Sequence, residues 1–329
     1  MKSVASFIFL SFLICISCNT NKSDTKRTAS ESSGNINSLN IIIENEDWNG
    51  MLGEKIRSVF AANVDGLPQQ EPLFNLNHIP PSSFSGFARK NRTFFKVELN
   101  KTKPKHVFLK DSFARPQTGI LVSGNSKIEV ANYIGEHANL FIKEFKETEI
   151  TEQLRRISKS PKDDTTLKEN LGVSLLFPTA YRYAKEESNF VWMRKDIKNG
   201  SMELTIYEVP INAIENNKDV ICNIINIRDS IGKKHIPGPS EGQHMITEEA
   251  FAPYINEIKF RGRKAYEVKG TWEVKGAFMA GPFFTYAIKD EAKQRYIMAE
   301  GFVFRPSYSK RDQIFEIEAI LKSLQFTED

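Results

Sequence analysis

The sequence predicts an α+β protein with mainly antiparallel sheets, flanking amphipathic helices and two α+β halves. Three observations predict it. Short apolar or alternating runs bounded by turn residues follow one another over 84–123 and again over 190–304, as hairpin-connected strands do. Apolar stripes at helical spacing end each half: Val130, Ile134, Ala138, Phe141 and Phe145 in the first, Ile314, Ile317, Leu321 and Leu324 in the second. Between them, the polar stretch 158–166 with Pro161 reads as a linker. Strands in hairpins with helices set apart from them give α+β rather than α/β.

The chain opens on a leader. Lys2 supplies a positive start, residues 4–16 are largely apolar, and the small Ser17 precedes Cys18. That is the layout of a secretory signal. A membrane span is the competing reading, but the run is shorter than the roughly 20 residues a span needs. Residues 19–37 hold only Ala29 and Ile36 as apolar side chains, so they are expected to form a disordered tether. A flexible coil of that length reaches about 25 Å. The expected division is leader 1–17, lipidated and tethering segment 18–37, first α+β domain 38–160 and second α+β domain 161–329.

In the first half, Leu39-Asn40-Ile41-Ile42-Ile43 reads as a buried strand. Trp48, Met51, Leu52, Ile56, Val59 and Phe60 share a helical face that Asn45 or Asp47 can cap. Residues 63–83 are rich in Pro, Asn and Gln and read as loop. Strands are expected over 84–90, 92–99, 106–110 and 118–123, then one long helix over 126–157. In the second half, 173–177 reads as a strand stopped by Pro178. Residues 190–194 and 202–209 read as strands around an Asn199-Gly200 turn. Val220, Ile224, Ile227 and Ile231 form a helical stripe, with Gly232 where a C-terminal cap belongs. Residues 235–244 read as an open loop. Strands over 263–275, 279–289 and 294–304 lead to a capping box, Ser309-Lys-Arg-Asp312, and a final helix.

Charge and cysteines exclude several classes. Lys and Arg total 45 against 41 Asp and Glu, a net charge of +4 without a basic block, so nucleic acid is not an expected partner. Of three Cys, Cys15 lies in the leader and Cys18 at its end, which leaves Cys222 without a disulfide mate. Cys222 is expected to be a buried, inert thiol.

Four resemblances add to this reading. Cys15-Ile16-Ser17-Cys18 resembles a bacterial lipobox, with Cys where Leu is usual. That resemblance implies acylation of Cys18, palmitate among the chains, and a membrane contact through the lipid. Residues 171–326 resemble the Mog1/PsbP-like α+β sandwich through Val173-Ser-Leu-Leu-Phe177 with Pro178 and Tyr181, the run Arg295-Tyr-Ile-Met-Ala-Glu-Gly-Phe-Val-Phe304, and the ending Ile320-Leu-Lys-Ser-Leu-Gln-Phe326. It implies a binding or assembly module and transfers no functional residue. Asn45-Glu-Asp-Trp48 and Phe84-Ser-Gly-Phe-Ala-Arg-Lys-Asn-Arg92 are similar to an uncharacterised Bacteroidota lipoprotein family, a domain of unknown function. Asp164-Thr165-Thr166 resembles the O-glycosylation acceptor of exported proteins in that phylum, which implies a glycan on Thr165. Asp229-Ser230-Ile231 matches too, on a helix expected to hide it.

No catalytic pattern is legible. His78, His106, His137, His235 and His244 form no zinc spacing; His235 and His244 share a loop with Glu241, where solvated histidines outweigh a metal site. Gly238-Pro-Ser-Glu-Gly242 lacks the ending of a phosphate-binding loop, and no nucleophile elbow occurs. Acid pairs at Glu44/Glu46/Asp47, Asp163/Asp164 and Glu248/Glu249 read as caps and solvated faces before they read as a glycosidase pair. Trp272, Phe278, Phe283, Phe284, Tyr286 and Tyr296 read as core before they read as a stacking platform. The expectation is a non-catalytic, lipid-anchored envelope protein that binds an envelope protein partner. It needs no cofactor or metal and sits at the outer membrane, on the periplasmic side. Two alternatives stand beside it. One is a hydrolase with a site assembled from scattered residues, which a deep pocket holding His235 or His244 with two acids would favour. The other is a glycan-binding surface lipoprotein, which needs exposed aromatics. A broad apolar groove would favour the binder.

Overall fold

The structure is a computed structural model that describes residues 30–100, 102–216 and 219–327. The leader, Cys18 and residues 19–29 lie outside the described residues. Residues 30–37, expected as the end of a disordered tether, are instead seated on the first half. Arg92 donates to the carbonyls of Gly34 and Asn35 at 3.2 and 2.9 Å, and the Asn37 N–H donates to Glu149 at 3.2 Å. A polar segment orders when buried charges need its backbone as partner.

The first half runs β1 (Ser38–Ile42), α1 (Asn45–Trp48), α2 (Met51–Phe60), β2 (Asn75–Ile79), β3 (Thr93–Leu99), β4 (Lys105–Lys110), β5 (Thr118–Gly124), α3 (Lys127–Glu136) and α4 (Ala138–Ile157). Its sheet is ordered β2-β1-β3-β5-β4. The pairings β1–β2, β1–β3 and β3–β5 are parallel; β4–β5 is antiparallel. One face is covered by α2, α3 and α4, whose Leu52, Ile56, Phe60, Val130, Ile134, Phe141 and Phe145 pack on Leu39, Ile41, Phe95, Ile120 and Val122. Four expectations are corrected. Neither Asn45 nor Asp47 caps the first helix; Glu44 precedes it and makes no side-chain cap. Residues 84–90 are not a strand but contain a 3-10 turn over Gly86–Lys90, and Phe84 folds under the sheet against Ile42 and Phe94. The helix expected over 126–157 is two, broken at His137, whose ring stacks on Tyr133 at 4.0 Å. Strand β2 lies inside the stretch expected as loop. Its Asn75 and Asn77 mask the pattern, and Asn77 donates to Ser38 Oγ at 2.8 Å.

The second half runs α5 (Thr165–Leu171), β6 (Val173–Ser174), β7 (Arg182–Glu187), β8 (Phe190–Ile197), β9 (Gly200–Pro210), α6 (Ile211–Glu215), α7 (Val220–His235), β10 (Met245–Thr247), β11 (Tyr254–Phe260), β12 (Arg263–Val274), β13 (Ala280–Asp290), β14 (Arg295–Phe304), α8 (Arg311–Lys322) and β15 (Gln325–Phe326). Its large sheet is antiparallel, ordered β10-β12-β13-β14-β9-β8-β7, with β11 also paired to β12. The fold class is therefore α+β, and most pairings between described strands are antiparallel. The sheet is covered on both faces, which explains the nearly unbroken apolar run of β14. Ile297, Ala299 and Val303 face α5 and α8; Tyr296, Met298 and Phe302 face α6 and α7. Gly301 permits this closeness, because a Cβ there would stand 2.4 Å from Ile317 Cγ2 of α8.

Further expectations are corrected here. The strand at 173–177 shortens to β6, paired with β15. The stretch 158–166 is tied down: Asp164 accepts from the Ser174 hydroxyl at 2.7 Å and the Leu175 N–H at 3.2 Å. Gly232 is not a cap. The helix continues to His235, and Gly232 is there because a Cβ would meet the Met245 carbonyl oxygen at 2.1 Å. Cys222 is exposed, not buried; the carboxylate of Asp219, to which it hydrogen-bonds, pushes its thiol pKa up, so it stays protonated.

The capping box at Ser309 does not form. Glu71, from the first half, accepts from the N–H groups of Lys310 and Arg311 at 2.7 and 3.0 Å and so caps α8. Arg311 reaches back to the Pro72 carbonyl and the Asn75 side chain at 2.9 and 3.1 Å. Beside this cap, Ile150 of α4 packs on Phe315 and Ala319 of α8, and Lys146 pairs with Glu318 at 3.0 Å. The halves are thus joined through α4 and α8.

Two predictions follow from this junction. Glu71→Ala leaves two N–H groups of a buried helix end without an acceptor, so it should destabilise the protein by about 1–2 kcal/mol. Native-state hydrogen exchange should show the loss concentrated at Lys310 and Arg311; unchanged protection there would contradict the assignment. Glu318 is buried, which opposes its charge, but Lys146, Lys322 and Lys269 outweigh that and hold its pKa at about 2. A carboxyl depressed from 4.5 contributes stability above pH 4.5 and loses it as pH falls through about 2. Acid unfolding of Glu318→Gln should therefore lack part of the wild-type slope between those values.

Candidate functional site

Two recesses are the candidates. The first is a cleft of 530 Å³ between the halves. One wall is the loop after α2, with Val64, Leu67 and Pro68 as apolar surface and Asn63, Gln69 and Gln70 as amides. The other wall comes from the second sheet. β10 and β11 lie along the same edge of β12, one on Trp272 to Val274 and one on Arg263 to Lys269. Between them residues 248–253 bulge away, opposite Gly270 and Thr271, with the Glu248 N–H bonded to the Thr271 carbonyl at 3.0 Å. The bulge presents Phe251, 65% exposed, and Tyr254 at the start of β11 is 53% exposed. The Thr271 hydroxyl on the floor is buried without a partner among the described residues. Gly66, at φ +80°, fits where a Cβ would press on Gly270 N and Lys269 Cβ at 3.0 Å. Sequence reasoning missed Phe251 and Tyr254. The signal was a Phe between alanines and before Pro253, with no alternation around it.

The second recess, of 600 Å³, lies between the edge strand β7 and its neighbour β8, the last turn of α7 and the loop 237–244. Lys185, Lys233, Lys234, His235 and His244 line it, with Trp192 and Pro237 as apolar walls. His235 is 3% exposed and stacks on Phe190 at 3.9 Å. Its Nδ1 is 2.9 Å from Lys185 Nζ, so the ammonium donates to an imidazole that is neutral. Burial and then Lys185 lower its pKa, against the pull of Glu187. The recess unites His235 and His244 as their shared loop suggested, but Glu241 does not line it, and a single carboxylate, Glu187 at 3.7 Å, approaches His235.

The remaining singled-out residues have structural places. His78 bonds the Ile43 carbonyl at 2.9 Å and stacks on Trp48. His106 bonds the Tyr133 hydroxyl at 2.8 Å. Glu46 and Asp47 meet Lys127. Trp272, Phe283, Phe284, Tyr286 and Tyr296 are core, whereas Phe278 is fully exposed. Thr165 opens α5, exposed, with its hydroxyl donating to Asp163 at 2.8 Å; Ser230 is also exposed and bonds the Asn226 carbonyl. Among the described residues, no three His, Cys, Asp or Glu side chains come together as a metal site, and no helix is long and apolar enough to cross a membrane.

Comparison with protein families matches residues 160–323 to Domain of unknown function (DUF4837) and residues 32–158 to Domain of unknown function (DUF8532). Both matched families are domains of unknown function, and neither match reaches half of the chain. The cleft lies between the residues that match DUF8532 and those that match DUF4837, and the cationic recess lies wholly among the residues that match DUF4837. No curated protein matches the sequence. Among solved structures, the Saccharomyces cerevisiae Ran-binding protein Mog1p is similar at 5% identity, covering 47% of this chain and 90% of its own, with a TM-score of 0.32. The human StarD13 lipid transfer and protein localization domain is similar at 10% identity, covering 44% and 89%, with a TM-score of 0.21. Likenesses this distant say nothing of a shared activity.

The wall of the recess carries a test of its electrostatics. Trp192 is fixed by donating to Glu203 at 2.8 Å, and burial pushes the Glu203 pKa up to about 7 despite donors from Ser201 and Trp192 and the positive charge of Arg194. A carboxyl raised from 4.5 leaves stability intact below pH 4.5 and removes it as pH rises through about 7. Glu203→Gln should therefore match wild type near pH 4.5 and exceed it by on the order of 2 kcal/mol at pH 8 in urea denaturation. Parallel pH profiles for the two proteins would refute the raised pKa.

Proposed function

We propose that this chain is a lipid-anchored binding protein of the bacterial envelope, and that it holds an extended segment of a protein partner in the cleft between its halves. The observation that carries the reading is the cleft itself. Its walls are mostly apolar, it lies at a domain junction, and its polar groups are three amides, the carboxylates of Asp65 and Glu248, and a Thr271 hydroxyl that has no partner among the described residues. Ligand sites concentrate at such junctions, and a few convergent polar groups set orientation. Phe251 and Tyr254 offer exposed aromatic surface for a partner's apolar side chains. Asn63, Gln69 and Gln70 can both donate to and accept from a partner's main chain. The reading takes neither a cofactor nor a catalytic step.

Anchoring rests on the lipobox-like Cys15-Ile16-Ser17-Cys18. Two or three acyl chains on Cys18 suffice for stable attachment, at about 0.8 kcal/mol per buried methylene. Residues 19–29 would then link the lipid to the seated segment at 30–37. The outer membrane, periplasmic face and Bacteroidota origin belong to the same proposal, as does a glycan on Thr165. Thr165 is exposed, which that modification requires.

A photo-crosslinking residue at position 251, introduced in intact cells, tests the binding claim. One discrete protein adduct is expected, lost when Tyr254→Asp is added. Affinity for the isolated partner should fall at least about tenfold in Phe251→Asp, the ~1.4 kcal/mol of one aromatic anchor. Adducts to glycan alone, or affinity indifferent to Phe251 and Tyr254, would refute it. Cys18→Ser should move the protein from the membrane to the soluble fraction; retention in the membrane would refute the anchor.

A further inference from the structure

We propose that the recess between β7–β8, the end of α7 and the loop 237–244 is a binding site for a phosphate group. Three separate segments bring cationic or hydrogen-bonding nitrogens to it: Lys185 from β7, Lys233, Lys234 and His235 from α7, and His244 from the loop. Among the described residues, no carboxylate lines it. Glu187 is the acid that meets these groups, at 2.9 Å from Lys185 and 3.7 Å from His235. Lys233 and Lys234 have no ion-pair partner among the described residues.

The helix end accounts for part of this and not the rest. Lysines in a last helical turn favour the negative end of the helix dipole. Lys185 stands on an edge strand and His244 on a returning loop, so neither serves that dipole. A cleft lined by one sign of charge concentrates the opposite ion. Ammonium groups from several directions suit a compact polyanion with acceptors all round, which is phosphate chemistry.

The cavity limits the ligand further. At 600 Å³ it exceeds a bare phosphate, and its apolar walls are the Trp192 ring and Pro237. The ligand is thus a phosphomonoester with an apolar or planar body, either a soluble ester or a lipid headgroup. His235 responds to it. In the free protein its imidazole is neutral and accepts from Lys185. A dianion draws the Lys185 ammonium to itself and favours the imidazolium, so occupancy raises the His235 pKa. The groups facing His235 through this change are Lys185 and Glu187 on β7, Lys234 on α7, and the neutral ring of Phe190 on β8.

The test uses the full mature chain carrying Cys18→Ser, so that the lipid does not obscure vesicle binding. Phenyl phosphate is titrated at low salt while the His235 ring resonances are followed by NMR. Vesicles of phosphatidic acid and of phosphatidylcholine are compared by co-sedimentation. Saturable binding of phenyl phosphate with an upward shift of the His235 pKa identifies a soluble ester. Binding confined to phosphatidic acid vesicles identifies a headgroup. Either should weaken about tenfold in Lys185→Gln and in the double variant Lys233→Gln/Lys234→Gln, whose two exposed side chains lie outside the core. Binding to neither probe, or binding unchanged in the double variant, overturns the proposal. Both outcomes are independent of the protein partner proposed for the cleft.

Discussion

The carboxylate of Glu71 on the first turn of α8 is the contact on which the rest of this architecture depends. A helix begins with N–H groups that its own backbone cannot satisfy. In α8 two of them are buried against the first half, and Glu71 supplies both acceptors and a negative charge at the positive helix end. α8 is also the helix that covers one face of the second sheet, through Ile317, Ile320 and Leu321. The second half therefore completes its core with a helix whose start is satisfied by the first. Ile150, Phe315 and Ala319 extend that contact with apolar surface. The cleft, with one wall from each half, inherits its shape from this junction.

Within each half a buried Arg–Glu pair does comparable work. Arg92 meets Glu149 at 3.1 and 2.9 Å and ties α4 and the 30–37 segment to the start of β3. Arg228 meets Glu300 at 2.7 and 2.8 Å and ties α7 to β14, its guanidinium lying over Phe283 at 3.6 Å. Buried pairs of this kind give little net stability over an apolar replacement, because desolvation offsets their attraction. Their effect is specificity. A helix shifted by one turn would strand an unpaired charge in the core, which is costly. Register is fixed this way without a disulfide among the described residues.

The sequence disclosed the second half better than the first, for physical reasons. Antiparallel hairpins are local, so Asn199-Gly200 and the runs of β12, β13 and β14 announce themselves within a few residues. The first sheet joins distant segments in parallel, and its edge strand β2 carries Asn75, Asn77 and His78, which look like loop. Gly232 misled for a related reason: a glycine chosen for a close approach to Met245 looks the same in sequence as one chosen for a helix end. The cap of α8 was illegible because its acceptor, Glu71, is distant in sequence. The sites were less legible still. The pairing of His235 with Lys185 spans the α7–β7 contact, and the exposure of Phe251 depends on a bulge that only strand pairing reveals.

The distribution of charge ties these features to function. A net charge of +4 on 329 residues is small, and among the described residues many cations are held in pairs such as Lys146–Glu318 and Arg228–Glu300. Against that background, cations gathered without lining acids at the end of α7 stand out more than the total suggests. The cleft between the halves has the opposite character, with apolar walls and a rim of amides and two acids. One molecule thus carries two recesses of opposite chemical character. An apolar segment finds no dry surface among three lysines, and a phosphate finds Asp65 and Glu248, not cations, at the cleft. On the reading proposed above, such separation gives two ligands of different chemistry separate places on one chain.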